Sequence, residues 1–225
     1  MGGAISAVPY HTTVKFFERL SLCLYLLGVF VFTSPFEKNN HQKGLYGSCI
    51  AATRADYEKI SGHSSVRAEL LDDLNLGERF IAAGVGVHNY IGCGFVSFRM
   101  YRSLSGEING FGKGAVLSTA KLKPATLFFT VLWILGLLVC QFGLIVLLFT
   151  PNGYTPSFAA GYALYTLQIG YFLRYTGKYG WVVPVLHPIG SVFFLLVVLY
   201  SAYRVTFVGS VVWKGREIRV SKKVK

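Results

Sequence analysis

Acidic residues are nearly absent from the second half of this 225-residue sequence. Residues 124–225 contain nine Lys and Arg but a single acid, Glu217, whereas residues 1–123 contain 13 bases and nine acids. A formal charge of +12 is compatible with nucleic acid, an anionic membrane surface or an acidic substrate. The bases of the second half lie beside long apolar runs, and 53% of all residues are hydrophobic. This pattern indicates a membrane protein with basic flanks and argues against nucleic acid.

Sequence motifs of several soluble enzyme classes are missing as well. The four cysteines form no C-x-x-C pair and no Cys/His cluster, which argues against a zinc site and a disulfide framework. Neither H-E-x-x-H nor G-x-x-x-x-G-K-[ST] occurs, which excludes a zincin motif and a P-loop. A membrane protein with reduced cysteines on a cytosolic face fits these absences best.

Two apolar runs are long enough to cross a bilayer. The first, Ala125–Phe149, would span about 37 Å as a helix, against about 30 Å for the hydrocarbon core. The second, Trp181–Tyr203, is interrupted in its first third by Pro184, His187, Pro188 and Gly190. Because proline removes a helical hydrogen bond, this first third is predicted to be re-entrant or interfacial.

Two shorter apolar runs are less decisive. Ser157–Leu173 contains three tyrosines and a glutamine, so an interfacial helix and a span fit it equally well. Leu20–Thr33 has only 14 residues, which predicts a buried or surface-lying helix rather than a span.

Three basic clusters constrain the topology. They lie at Lys113–Lys123, at Arg174 and Lys178, and at Arg204–Lys225. The positive-inside tendency favours all three on the cytoplasmic side, whereas three simple crossings would place the last cluster outside. One apolar run is therefore not expected to be a simple span, and the charge pattern does not identify which.

The residues before the first long apolar run predict mixed α/β structure. Residues 44–63 predict a turn, a short buried strand at Cys49–Thr53 and a short helix. A second helix is predicted to begin at Asp72 and to end at Gly84. The β-branched and aromatic residues between 85 and 101 predict strands.

These patterns together predict a chain in two parts. Residues 1–123 are expected to form an α/β domain on the membrane face. Residues 124–225 are expected to form an all-α membrane region with two or three transmembrane helices and a basic C-terminal tail.

An acid pair, Asp72 and Asp73, stands where the second helix is predicted to begin. An Asp in this place often caps a helix by accepting hydrogen bonds from free backbone N–H groups. Alternatively, a carboxylate kept ionised by the helix dipole can take a proton from a hydroxyl group. Both roles stay open, and one Asp can cap while the other acts as a base.

Three bases are candidates for binding a diphosphate. Arg99 and Arg102 lie three residues apart, and Lys113 follows in the sequence GFGKG. Arginine gives planar, bidentate contacts to phosphate oxygens, which favours a diphosphate clamp. A basic membrane flank explains Lys113 equally well.

A short segment before the predicted strand, Gly47, Ser48 and Cys49, is a further candidate. It fits a plain turn that leads into the strand. It also fits a turn that brings backbone N–H groups and a hydroxyl close to a ligand.

In their order along the chain, six stretches resemble the membrane-bound family 2 glycosyltransferases, and most closely their diaponeurosporenoate or carotenoid type. The stretches cover nearly the whole chain: VPYHTTVKFFERLS (8–21), YGSCIAATRADYEKISGH (46–63), LLDDLNLG (70–77), GFVSFRMYRSL (94–104), INGFGKGA (108–115) and VVWKGREIRVSK (211–222).

The resemblance implies a multi-pass protein of the cell membrane with a GT-A catalytic domain on its cytoplasmic side. Such an enzyme moves a sugar from a nucleotide sugar to a lipid-like acceptor and inverts the anomeric carbon. By position, Asp73 matches the catalytic base and Asp72 its acidic neighbour. The segment 47–49 matches residues lining the acceptor and diphosphate side. A divalent metal, Mg²⁺ or Mn²⁺, is expected for the complete enzyme.

One family element is matched in two alternative ways. Arg99 and Arg102 match a Gln/Arg-x-x-Arg-Trp element, with Ser103 in place of the Trp. Alternatively, Phe111 replaces that Trp, because relatives have Gly-Trp at this place.

The sequence departs from the family at its front. It contains no Asp-x-Asp metal motif, and its Met1 matches a position beyond that motif in relatives. The chain thus resembles the C-terminal half of the enzyme, and it is expected to be inactive without an N-terminal half or partner subunit that binds the nucleotide sugar. The alternative expectation is a non-catalytic membrane subunit that binds lipid or supports assembly.

Overall fold

The computed structural model describes residues 2–33, 44–67, 69–213 and 215–220. The strands are β1 (Ala4–Val8), β2 (Tyr10–Thr12), β3 (Ile50–Ala52), β4 (Val87–Ile91), β5 (Ser97–Phe98), β6 (Gly177–Lys178), β7 (Ser210–Trp213) and β8 (Arg216–Arg219). The α-helices are α1 (Leu22–Leu27), α2 (Arg54–Lys59), α3 (Asp72–Ala82), α4 (Leu104–Gly114), α5 (Pro124–Phe149), α6 (Thr155–Thr176), α7 (Val182–Val185) and α8 (His187–Tyr203).

Within the described residues the strands form three small sheets, with the orders β3-β1-β4, β5-β2-β6 and β7-β8. Strand β1 pairs with β3 antiparallel and with β4 parallel. In the second sheet, His11 of β2 lies opposite Gly177 of β6. Strand β6 follows α6, so this sheet joins residues on both sides of the predicted boundary at 123.

Helix α3 is amphipathic. Leu76 and Phe80, one turn apart, are fully buried and pack with Leu45 and Ala4 of β1. The helix ends at Ala82, and Gly84 follows with φ +74°, the left-handed conformation that glycine adopts easily. The predicted extent of this helix is confirmed.

The strand predicted at Cys49–Thr53 is present as β3, but it is not buried. Its residues are half-buried or exposed. The prediction of burial is wrong because β3 is an edge strand, which among the described residues pairs with β1 alone, and only strand order could have revealed this.

The run Leu20–Thr33 forms α1 and a π-helical continuation, Gly28–Thr33. Leu22 and Tyr25 are each 1% exposed and pack against Ile169 and Leu173 of α6. The prediction of a buried helix is confirmed here.

Two helices among the described residues are long and apolar enough to cross a membrane: Pro124–Phe149 and His187–Val208. The break predicted in the run Trp181–Tyr203 is confirmed, since α7 ends at Val185 and α8 begins at His187. Pro188 lies in the first turn of α8, where its missing N–H costs no helical hydrogen bond. Beyond α8 the helix continues as a π-helix over Arg204–Val208.

Candidate functional site

Asp73 lies in the first turn of α3, and its two carboxylate oxygens each accept a backbone hydrogen bond. The N–H of Leu74 donates to Oδ1 at 2.9 Å, and the N–H of Gly47 donates to Oδ2 at 3.2 Å. The structure therefore brings Gly47 and Asp73 together, although 26 residues separate them.

Neither acid is the N-cap of α3. Leu71 occupies that position without a side-chain cap bond, and Asp72 and Asp73 are the first helical residues. The capping role is therefore wrong in position. Asp72 is exposed and Asp73 half-buried, so their negative charges can still interact favourably with the helix dipole.

The helix dipole was expected to keep the carboxylate of Asp73 ionised, which would lower its pKa. The pKa of Asp73 is instead raised. Burial raises the pKa of Asp73, and the charge of Asp72 adds to the increase. The N–H groups of Leu74 and Gly47 and the charge of Lys113 act in the opposite direction but do not outweigh burial. A carboxylate with a raised pKa is a stronger base once it is ionised.

The turn that holds Gly47 is fixed to the first sheet. Ser6 Oγ accepts a hydrogen bond from the N–H of Tyr46 at 2.9 Å and donates one to Asn89 Oδ1 at 2.6 Å. The amide of Asn89 donates to the carbonyl of Gly44 at 2.8 Å. Ser6 and Asn89 are both buried. Sequence reasoning missed this pair. Its signal was a polar residue at a buried position in each of two adjacent strands, β1 and β4.

The segment 47–49 forms the turn predicted for it. Ser48 is exposed, and the carbonyl of Cys49 accepts from the N–H of Ala7 at 3.0 Å as the chain enters β3. The predicted ligand contacts of Ser48 and Cys49 stay predictions.

Lys113, at the end of α4, lies near Asp73. Its positive charge partly offsets the rise in the pKa of Asp73. Its Nζ is 4.3 Å from the centre of the Trp213 ring in β7, a cation–π contact. Trp213 was missed as a site residue, although it belongs to one of the stretches that carried the resemblance. The β7–β8 hairpin thus contributes an aromatic residue to the surroundings of the acid pair.

Arg99 is paired with a different acid, Glu18. Arg99 Nε donates to Glu18 Oε1 at 3.0 Å, and Glu18 is 1% exposed. Burial opposes ionisation of Glu18, but the hydrogen bonds from Arg99 and from the N–H of Val14 hold its pKa below the ordinary value. Arg102 is exposed. A diphosphate-binding role for either arginine stays a prediction, and the guanidinium of Arg99 is already paired with a carboxylate.

The two residues considered for the family tryptophan have separate structural roles. Ser103 is the N-cap of α4, and its Oγ accepts from the N–H of Gly106 at 3.2 Å. Phe111 packs edge-on against Tyr101, with ring centres 5.4 Å apart.

A buried acid near Arg99 was also missed. Glu107 of α4 is 1% exposed, and burial raises its pKa to about 7, with nearby Glu18 adding to the increase. Its sequence signal is isolation, because no other acid occurs between Glu78 and Glu217.

A cavity of about 480 Å³ lies along α3 and reaches the start of α5. It is bounded by Leu74, the neighbour of Asp73, and by Thr126 of α5. Its lining mixes apolar and charged side chains: Val31, Phe32, Gly44, Leu74, Glu78, Ile81, Ala82, Ala120, Lys121, Leu122, Lys123 and Thr126.

Within the described ranges, no group of three or more His, Cys, Asp or Glu side chains could hold a metal ion. Near the acid pair, one carboxylate is already bound to two backbone N–H groups. These residues do not fit a divalent metal site, so the metal stays an expectation from the resemblance.

Comparison with known proteins finds no matching protein-family model and no matching solved structure. The GT-A fold therefore stays a prediction. The chain is 29% identical over 224 residues to the 4,4'-diaponeurosporenoate glycosyltransferase of Staphylococcus aureus strain USA300. It is 28% identical to the protein of the same name from strain MRSA252. The alignments cover 98% of this chain but only 60% of each relative. This similarity along almost the whole chain confirms the resemblance to glycosyltransferases of the diaponeurosporenoate type.

Proposed function

We propose that this chain forms the acceptor-binding and membrane part of a glycosyltransferase, with Asp73 as the general base. One observation carries the proposal. The carboxylate of Asp73 has a raised pKa and is held by the N–H of Gly47, from a second stretch that carries the resemblance. A fixed carboxylate whose pKa lies above the ordinary value suits proton abstraction.

The reaction is an inverting displacement. Asp73 accepts the proton of an acceptor hydroxyl, and the resulting oxygen forms a bond to the anomeric carbon of the sugar. The bond between that carbon and the diphosphate oxygen breaks, and the nucleoside diphosphate leaves from the opposite face. Lys113 contributes positive charge beside the base and favours its ionised form.

The cavity along α3 suits the chain of a lipid-like acceptor. It begins beside Thr126 at the start of α5 and leads to Leu74, the residue that follows Asp73 in the chain. A volume of about 480 Å³ lies within the ordinary range for small-molecule sites. Lys121, which is paired with Glu78, and Lys123 also line the cavity and favour an acceptor that enters from an anionic membrane surface.

Binding of the nucleotide sugar is assigned to residues outside this sequence. The sequence has no Asp-x-Asp motif, and the chain spans 60% of the length of its curated relatives. An immunoblot of the native protein, with an antibody against residues 44–67, tests this assignment. A band well above 24.9 kDa, or a co-purifying nucleotide-sugar-binding subunit, is expected. A band of 24.9 kDa without a partner would contradict the assignment.

The role of Asp73 is tested by Asp73→Asn in the native membrane protein, with sugar transfer from a panel of nucleotide sugars into extracted lipid. Loss of a general base should lower kcat by about 100-fold or more. Asp72→Asn is the matched control, because Asp72 is exposed, and it should change kcat by less than about fivefold. Normal transfer by Asp73→Asn at equal protein level would overturn the proposal.

The absence of an Asp-x-Asp motif favours one second candidate, a non-catalytic membrane subunit that binds lipid. Specific binding of acceptor lipid that Asp73→Asn leaves unchanged, together with no transfer by the native complex, would support this candidate instead.

A further inference from the structure

Helices α5 and α6 form a tightly packed antiparallel pair. Trp133 Nε1 donates to Gln168 Oε1 at 2.8 Å, and Tyr165 Oη donates to the carbonyl of Trp133 at 3.2 Å. Ten residues further along α5, a side chain on Gly143 would collide with Phe158. The start of α5 and the end of α6 therefore lie at the same end of the pair, and residues 150–154 form the opposite tip.

The chain after α6 returns at once to the α/β part. Gly177 and Lys178 pair with β2, and Tyr179 Oη lies 3.0 Å from His11 Nδ1. The end of α6 is thus fixed on the side of the protein that carries the candidate site.

After Tyr179 the chain runs back along α6 and makes polar contacts with α6 and α5 at Val185 and His187. Val185 accepts a hydrogen bond through its carbonyl from Tyr162 Oη. His187 Nδ1 lies 3.0 Å from Gln141 Oε1 of α5. Tyr162 is 14 residues before the end of α6, a distance of about 21 Å along the helix axis.

Helix α8 then leads back to the α/β part. Tyr200 Oη donates to Asn109 Oδ1 at 3.0 Å, and Ser201 Oγ donates to the carbonyl of Gly112 at 2.7 Å. Asn109 and Gly112 both belong to α4, which ends shortly before α5 begins. Both ends of the segment 179–203 are therefore attached to the same side of the protein.

We propose that α5 and α6 cross the bilayer as a hairpin and that residues 179–203 form a re-entrant segment, which enters and leaves on the side of the α/β part. By length and composition alone, α8 with its π-helical continuation is a candidate span and α6 is not. The contacts favour the reverse, because the polar Gln168 and Tyr165 of α6 are hydrogen-bonded to α5.

Three backbone carbonyls at the break in the re-entrant segment accept hydrogen bonds, as a turn in an apolar environment requires. Tyr162 supplies a donor to the carbonyl of Val185. The N–H of Ile189 donates to the carbonyl of Leu186 at 3.0 Å, and Ser191 Oγ donates to the carbonyl of His187 at 2.9 Å. A turn that faced water would not need these donors from α6 and α8.

The partner implied by this arrangement is the anionic leaflet on the side of the α/β part. With two crossings and one re-entrant segment, the described residues of all three basic clusters face that leaflet, which satisfies the positive-inside tendency. Trp181, 86% exposed, lies near the start of the segment, and Phe16, 59% exposed, lies beside Val183 and Leu186. Large aromatic residues are typical anchors at a membrane–water interface.

Cysteine labelling tests the topology. In a variant whose four cysteines are replaced by alanine, single cysteines are placed at Lys59, Asn152, Lys178 and Arg216. Each is labelled with a membrane-impermeant maleimide in sealed inside-out and right-side-out vesicles. Lys59→Cys, in exposed α2, marks the side of the α/β part. Lys178→Cys and Arg216→Cys should be labelled from that side, and Asn152→Cys from the other.

Labelling of Lys178→Cys and Arg216→Cys from opposite sides would show that α8 crosses the membrane and would overturn the proposal. Labelling of Asn152→Cys from the Lys59→Cys side would overturn the α5–α6 hairpin. If the cysteine-free variant does not accumulate, reporters fused to the otherwise unchanged chain after residues 154, 178 and 220 give the same comparison. Only the reporter after residue 154 should lie on the far side.

Discussion

The N–H of Gly47 donates a 3.2 Å hydrogen bond to Oδ2 of Asp73, and a Cβ atom at position 47 would lie only 2.9 Å from that oxygen. The carboxylate therefore occupies the space that a side chain at position 47 would need. The candidate base can therefore occupy this position only because residue 47 has no side chain.

Gly47→Ala should displace the carboxylate of Asp73. We expect a loss of transfer activity of about tenfold or more, because small misplacements of a catalytic group are costly. Kinetics on the native membrane protein measure this effect. Gly153→Ala is the matched control, since no atom lies within 4 Å of a Cβ built there. Unchanged kinetics for Gly47→Ala would show that the contact has no role in activity.

Lys113→Met should shift the pH dependence of activity. The positive charge of Lys113 lowers the pKa of Asp73, so its removal raises that pKa further. Because the base acts in its ionised form, the acidic limb of the kcat/KM profile should move to higher pH. Lys113→Arg keeps the charge and the contact with Trp213 and should retain the original profile. An unmoved limb in Lys113→Met would contradict the electrostatic link.

Asp73→Asn should compare more favourably with the wild type in stability at pH 7 than at pH 3, while it removes activity. The folded pKa of Asp73 lies above its ordinary value of 3.8, so the ionised carboxylate disfavours folding relative to the protonated one. This group's favourable contribution is complete below the unfolded pKa and is lost as pH rises through the folded pKa. Denaturant unfolding at both pH values measures this, and the comparison is between pH values because an amide oxygen can accept only one of the two backbone N–H bonds. A stability difference between the two proteins that is the same at pH 7 and pH 3, or that favours the variant at pH 3, would contradict the sign of the shift.

Glu18→Gln should destabilise the fold, because it leaves Arg99 without its charged partner. Breaking a buried ion pair costs about 3–5 kcal/mol. Since the Arg99 side chain is 30% exposed, we expect roughly 2 kcal/mol after solvent screening. The pKa of Glu18 is lowered on folding, so this stabilisation is present above the unfolded pKa and is lost as pH falls through the folded pKa.

The exposed pair Arg54–Glu58 is the matched control for that measurement. Its side chains are 90% and 60% exposed, so Glu58→Gln should change the free energy of unfolding very little. A Glu18→Gln protein as stable as the wild type would show that Arg99 is free for another partner, such as a diphosphate.

Local patterns predicted the helices well because their signals lie within a few turns of chain. The extent of α3 and the break before α8 follow from apolar spacing, Gly84 and Pro188. Long-range pairing was not predictable from such patterns. Arg99 has the composition of a phosphate ligand, but its partner Glu18 is 81 residues away. Likewise, Trp213 meets Lys113 only because the β7–β8 hairpin folds back onto α4.

Tyr162→Phe tests whether the break between α7 and α8 depends on its donor from α6. The hydroxyl of Tyr162 bonds the carbonyl of Val185, which the helix break leaves without an intrahelical donor. Interhelical hydrogen bonds in membrane proteins contribute about 0.6 kcal/mol on average, with a maximum near 1.7. We expect a loss in the upper part of that range, measured by unfolding in detergent micelles, because the unpaired carbonyl stays in apolar surroundings. Tyr154→Phe, at the exposed tip beyond α5, should have no effect. Equal stability of the two variants would mean that water already reaches the carbonyl, and the break would then lie outside the bilayer core.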